Sequence, residues 1–150
     1  MRLPFGIWSN GTYLVVADAN NNRVLIWNTF PTTNNQAAHL VLGQPDMTSR
    51  TSNNGGISAS TLSSPENVWS DGTMLAVNDQ QNNRVLLWNS FPTTNQQAAD
   101  VVLGQASFTT STAGLTASTL HQPGGISGTS TQLFVTDELN NRVLIYNKNE

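Results

Sequence analysis

Asn21-Asn22-Arg23-Val24-Leu25-Ile26-Trp27-Asn28 returns as Asn82-Asn83-Arg84-Val85-Leu86-Leu87-Trp88-Asn89. It returns again as Asn140-Asn141-Arg142-Val143-Leu144-Ile145-Tyr146-Asn147. The arginines are spaced by 61 residues (84 − 23) and then 58 (142 − 84). Pro4, Pro65 and Pro123 keep the same offsets, as do Asp18, Asp79 and Asp137: 14 residues from Pro to Asp and 5 from Asp to Arg in every copy. A constant internal period marks a repeat architecture. The three-residue difference falls between Gly43 and Leu62, a stretch that is shorter between Gly104 and Leu120. The copies cover about 3–44, 64–105 and 122–147 of a single 150-residue domain.

Each copy reads as short strands. A first strand follows the proline, at residues 5–9, 67–70 and 125–127. Proline suits the start of a strand, where its missing N–H is not needed. Asn10-Gly11-Thr12 and Asp71-Gly72-Thr73 are hairpin signals, and Gly128-Thr129-Ser130 is a weaker form of the same punctuation. Second strands are expected at 13–17, 74–78 and 133–136, and third strands at 23–27 and its equivalents. A Phe-Pro-Thr-Thr-Asn linker leads to fourth strands at 39–42 and 100–103, which the third copy lacks. No window has the 3.6-residue apolar spacing of an amphipathic helix; at most a single turn is expected at 58–62 and 116–120. The apolar runs, such as Val24-Leu25-Ile26-Trp27, do not alternate, so the sheets should be covered on both faces. Small antiparallel sheets stacked side by side give that burial, and a β-propeller is this arrangement. Three such sheets would leave the first and last faces bare. Patches of that kind are rarely left wet, and two chains related by a twofold axis would close a six-bladed ring. The expected partner is therefore a second copy, unless the chain is a fragment of a longer propeller.

The polarity is neutral. Asn, Thr, Ser and Gln make up about 40% of the chain and charged residues only 10%, with one lysine, Lys148. A net charge of −3 with six basic residues argues against nucleic acid, whose phosphates call for clustered Lys and Arg. Without a long apolar run, membrane insertion is not expected. Zero cysteines removes disulfides, thiolate zinc sites and Cys nucleophiles together. Met1 to Pro4 lead straight into the first copy, so no signal peptide is expected, although low Lys with abundant Asn and Thr suits an exported protein.

The pattern Pro-x-Gly-Ile/Val … Asp-Gly-Thr-x-Leu-x-Val-x-Asp-x-x-Asn-Asn-Arg-Val-Leu-Ile-Trp resembles the NHL repeat, a propeller-blade family. With the Leu-Gly-Gln fourth strands, the resemblance covers most of the chain, and the long units resemble long-repeat bacterial NHL-like proteins. It implies four-stranded antiparallel blades. NHL-type enzymes use a metal held by several histidines; here His39 and His121 are the only two and do not repeat.

Asp18 with Arg23, Asp79 with Arg84, and Asp137 with Arg142 are the leading candidates for chemistry. One reading is a ligand-binding set of acids and guanidinia; the other is a bidentate pair clamping each turn. Strict repetition favours the clamp. Asp18-Ala19-Asn20-Asn21-Asn22-Arg23 partly matches a calcium loop but lacks the sixth-position Gly and the twelfth-position acid. Asn in such turns serves left-handed backbone equally well. No cofactor or metal is expected. Trp27, Trp88 and Tyr146 read as core, whereas Trp8 and Trp69 are candidates to face a central channel.

The Asp-x-x-Asn-Asn turns and the long loops at 45–63 and 106–121 should emerge on one face. Loops of this length are often functional. The candidate ligand face is Asn20, Asn21, Gln81, Asn82, Glu138 and Asn140, with Trp8 and Trp69, and the expected ligand is a protein or glycan. The sequence thus points to a non-catalytic binding or scaffold module. The alternatives are a lyase, hydrolase or lactonase working in a central channel, and a glycan-binding lectin.

Overall fold

The computed structural model describes residues 1–148. The chain is all-β, in three antiparallel sheets of four, four and three strands. The first sheet holds β1 (Pro4–Ser9), β2 (Leu14–Asp18), β3 (Arg23–Trp27) and β4 (Leu40–Leu42). The second holds β5 (Pro65–Ser70), β6 (Leu75–Asp79), β7 (Arg84–Trp88) and β8 (Val101–Leu103). The third holds β9 (Pro123–Gly128), β10 (Gln132–Asp137) and β11 (Arg142–Asn147). Each sheet is a meander in sequence order.

The turns explain the meander. Asn10 Oδ1 accepts from the N–H groups of Thr12 and Tyr13, at 3.0 and 2.9 Å. Asp71 Oδ1 does the same for Thr73 and Met74, at 2.9 and 2.8 Å. In the third copy the Thr129 hydroxyl takes over, with longer bonds to Thr131 and Gln132 of 3.3 and 3.1 Å. The Asn-rich turns are single 3-10 turns, Ala19–Asn21, Gln80–Asn82 and Glu138–Asn140. Each ends on an asparagine in the left-handed region: Asn22 (φ 52), Asn83 (φ 53) and Asn141 (φ 52). Asparagine tolerates that backbone better than any residue but glycine. The 3-10 turns therefore lie there, while 58–62 and 116–120 each hold a single turn, at 59–60 and 117–118.

The sheets stack through equivalent faces. Val15, Ala17, Val24, Ile26 and Leu42 of the first sheet pack against Val68, Leu75, Val77, Leu86 and Trp88 of the second. The opposite face of the second sheet, Met74, Ala76, Val85 and Leu87, packs against Ile126, Leu133 and Val135 of the third. The first strands lie closest: a Cβ on Gly6 would stand 2.6 Å from the Asn67 Cα, so only glycine lets β1 and β5 approach this far.

The outer faces differ from the bare surfaces expected. On the first sheet Val16, Leu25, Trp27 and Val41 are buried, partly under Ala38 and Met47 from the chain's own connecting loops. Phe5 and Ile7 nearby are 55% and 67% exposed. On the third sheet Val143 and Ile145 are 57% and 58% exposed. Self-coverage is therefore partial at one end of the stack and slight at the other.

Candidate functional site

Strand direction places the 3-10 turns, the starts of β1, β5 and β9, and both ends of each long crossing loop at one end of the sheets. Asp79 organises the central turn. Its Oδ1 accepts from Ser63 N–H at 2.7 Å, and its Oδ2 from Asn82 Nδ2 and Arg84 Nε, each at 2.8 Å. Asp18 binds Arg2 N–H, Asn21 and Arg23 in the same pattern, and Asp137 binds His121 N–H, Asn140 and Arg142.

The ion pairs are single-point, not bidentate. Only Nε meets the carboxylate; the terminal guanidinium nitrogens, both of them in Arg84 and Arg142 and one in Arg23, reach backbone carbonyls of the crossing loops. Arg84 donates to Ser58 and Thr61 in the loop before it and to Phe108 in the loop after it. Arg23 reaches only Met47, and Arg142 only Leu115, Thr116 and Thr119. The fork of five N–H donors thus staples loops to sheets. Asn22 and Asn83 complete the staple: each accepts from the N–H that opens the next sheet, Ser64 or Gln122, and donates to Arg50 or Ser111.

Electrostatics follow burial. Burial pushes the Asp18 carboxyl up, but the Arg2 N–H, the Asn21 amide and the Arg23 guanidinium outweigh it and hold the group below its usual value. Asp79 has the same donors but is wholly enclosed; burial prevails there and raises it, against the pull of Arg84, Asn82 and Ser63.

The candidate ligand face divides accordingly. Asn21, Asn82 and Asn140 spend their side-chain amides on the aspartates. Asn20, Gln81 and Glu138 are exposed at the turns. Trp8 and Trp69 lie at the other end of their strands, since Pro4 pairs with Asp18 while Trp8 pairs with Val15. Trp8 packs toward Phe91, with ring centroids 6.1 Å apart, and Trp69 covers Gly128, so both rings serve contacts between neighbouring sheets. In the calcium-like loop the side-chain oxygens of Asp18 and Asn22 already accept from N–H groups of Arg2, Arg23 and Ser64. Among the described residues no three His, Cys, Asp or Glu converge as metal ligands.

Two features were not singled out by sequence reasoning. Glu66 on β5 is raised by burial and by the neighbouring charge of Glu138, across the second and third sheets. Its equivalents are Phe5 and Gly124, so the repeat pattern carries no trace of it. A cleft of about 410 Å³ opens between the second and third sheets beside β11, lined by Leu87, Val101, Leu103 and Tyr146. The lack of a fourth strand in the third copy was the signal for it.

No protein-family description matches the chain. A search of curated proteins likewise finds no match. No helix among the described residues is long and apolar enough to cross a membrane.

Proposed function

We propose that the chain is a non-catalytic binding or scaffold module of NHL-like propeller blades, closed into a six-bladed ring by a second copy. The observation that carries this reading is the equivalence of the two end faces to the two halves of the internal interfaces. Ile7, Leu14, Val16, Leu25 and Trp27 on the first sheet correspond to Val68, Leu75, Val77, Leu86 and Trp88, which pack on the sheet before them. Phe134, Val143 and Ile145 on the third sheet correspond to Ala76, Val85 and Leu87, which pack on the sheet after them. One end of the stack is thus a socket and the other its plug. A socket-and-plug joint is heterologous and closes when the rotation completes a ring.

The hydrogen bonds repeat the argument. Ser64 and Gln122 donate across a sheet boundary to Asn22 and Asn83. Leu3 shares their left-handed backbone (φ 50, against 49 and 47), and Asn141 shares the asparagine position. Leu3 N–H of one copy and Asn141 Oδ1 of the other form the matching pair across the ring. Asn20, Gln81, Glu138 and the crossing loops then make the face for a protein or glycan ligand, set on a scaffold that the arginine staples hold rigid.

Light scattering tests the ring. The chain should run as a dimer, and Ile7→Asp should yield a folded monomer because Ile7 is largely exposed within one chain. A monomeric wild type would reject the ring. The second reading, an enzyme with its site among the first strands, is favoured by one observation: the raised Glu66 beside Glu138. Hydrolysis of a lactone or ester panel that Glu66→Gln abolishes would replace the scaffold reading with this one.

A further inference from the structure

We infer that the free edge of β11 and the cleft beside it bind an extended peptide of the type Asn-Gln-Gln-Ala-Ala-Asp-Val-Val-Leu-Gly-Gln, added as a fourth strand to the third sheet. The inference does not need the ring, because the fourth-strand edge lies at the opposite side of each sheet from the closely packed first strands.

The chain itself sets the precedent twice. β4 pairs with β3 and β8 with β7 in one register: Val24 with Leu42 and Ile26 with Leu40, then Val85 with Leu103 and Leu87 with Val101. Among the described residues β11 pairs only with β10. Val143, Leu144 and Ile145 are the equivalents of Val85, Leu86 and Leu87, so the same register is available to an incoming strand.

Three independent features match that strand. The first is apolar cover. Leu40 and Leu42 on β4 are buried, whereas Val101 and Leu103 on β8 are only partly buried and line the cleft with Met74, Leu87, Leu133 and Tyr146. The second is a polar group with nothing to bond. Trp27 Nε1 donates to the Gln36 carbonyl and Trp88 Nε1 to the Gln97 carbonyl, both in the lead-in to a fourth strand. The equivalent Tyr146 hydroxyl is buried with no partner, which carries a desolvation cost until an acceptor arrives. The third is the neighbouring sheet edge. Val41 N–H donates to Asn95 Oδ1, and Val41 C=O accepts from Gln96 N–H, so the lead-in of the second sheet's fourth strand caps β4. Val102 on β8 is the position that an Asn-Gln lead-in on the third sheet would cap.

The ends of the peptide are specified as well. Gln44 and Gln105 each donate to the carbonyl of the left-handed asparagine, Asn22 or Asn83, so a terminal Gln would reach the Asn141 carbonyl. Asp100 accepts from Asn89 N–H at the other end, and the corresponding aspartate would meet Asn147 N–H. Strand addition of this kind takes affinity from main-chain bonds and specificity from alternate side-chain pockets.

The test uses a synthetic fluorescein-labelled peptide with the sequence of residues 95–105, titrated with the whole chain and read by anisotropy. Saturable binding at one peptide per chain is expected. Because Val41 directs its N–H outward, the strand residues flanking it direct theirs at β3. The Asp100 N–H donates to the Leu87 carbonyl at 2.8 Å, so N-methylation of the peptide's Asp and its Leu, the equivalents of Asp100 and Leu103, should weaken binding at least about tenfold. Tyr146→Phe should weaken it about threefold to tenfold, and the Ile7→Asp chain should bind as the wild type does. No saturation at millimolar peptide, equal binding of the N-methylated peptide, or loss of binding in Ile7→Asp would overturn the assignment.

Discussion

Arg84 Nε lies 2.8 Å from Asp79 Oδ2, and neither side chain has any solvent exposure. The same 2.8 Å pair recurs at Arg23–Asp18 and Arg142–Asp137, where the arginines are 12% and 24% exposed. Three copies of one motif therefore sample three degrees of enclosure, and the difference has a simple cause. Arg84 has a crossing loop on both sides, and the other two have one each.

Arg84→Ala should destabilise the chain by about 3–5 kcal/mol, because it leaves Asp79 buried and unpaired and frees three loop carbonyls. Arg23→Ala and Arg142→Ala should cost less, since water reaches the groups left behind. Arg84→Lys should recover little, because an ammonium cannot reproduce the fork that binds Asp79, Ser58, Thr61 and Phe108 at once. Urea denaturation of the four variants checks the order. Equal losses at all three arginines would contradict the staple.

Two of the turn aspartates, Asp18 and Asp79, have carboxyls shifted in opposite senses and predict opposite responses to acid. Asp18 is held below its usual value of 3.8, so the fold favours its charged form. That stability is present above 3.8 and is lost as pH falls through the lowered folded value. Asp79 is raised, so its contribution is greatest below 3.8 and is lost as pH rises through the folded value. Urea midpoints measured between about pH 2 and pH 6 should lose part of their acid limb in Asp18→Asn. An unchanged acid limb in that variant would contradict the assignment.

Gly104 separates backbone strain from side-chain crowding. Its φ is +85°, and a Cβ there would stand 2.6 Å from Leu120 Cγ and 3.0 Å from the Asn83 carbonyl oxygen. Gly72 has a similar backbone, φ +97°, with open space around it. Gly72→Ala should cost about 1–2 kcal/mol from the left-handed backbone alone. Gly104→Ala adds the overpacking of Leu120, a further 1–3 kcal/mol or so. Thermal melts compare the two, and equal shifts would show that Leu120 yields freely.

Much of the fold was legible because the repeat supplies its own alignment. Pro, Asp and Arg at fixed offsets locate three strands per copy to within a residue or two, and Asn10 and Asp71 announce their hairpins. The strand ends were less legible, since Asp18, Asp79 and Asp137 read as turn residues although each pairs with its arginine as the last rung of the ladder. The site was harder to read. Asn21 and Asn20 look alike in sequence, but one amide turns in to Asp18 while the other residue stays exposed. Only the sense of the 3-10 turn decides between them. Trp8 and Trp69 were misplaced for a related reason: their strand position is plain, but Phe91 and Gly128, which receive them, come from another copy's linker and strand.

The end faces carry the account. Phe5 and Ile7 at one end, and Val143 and Ile145 at the other, stay exposed in a single chain while their equivalents in the middle sheet are enclosed or lie against a neighbouring sheet. The most direct measurement is the native mass in solution by multi-angle light scattering. A closed pair of chains of 16.2 kDa each gives a species of about 32 kDa that falls to the single-chain mass in Ile7→Asp. A wild-type chain at 16.2 kDa, soluble and cooperatively folded, would contradict the ring.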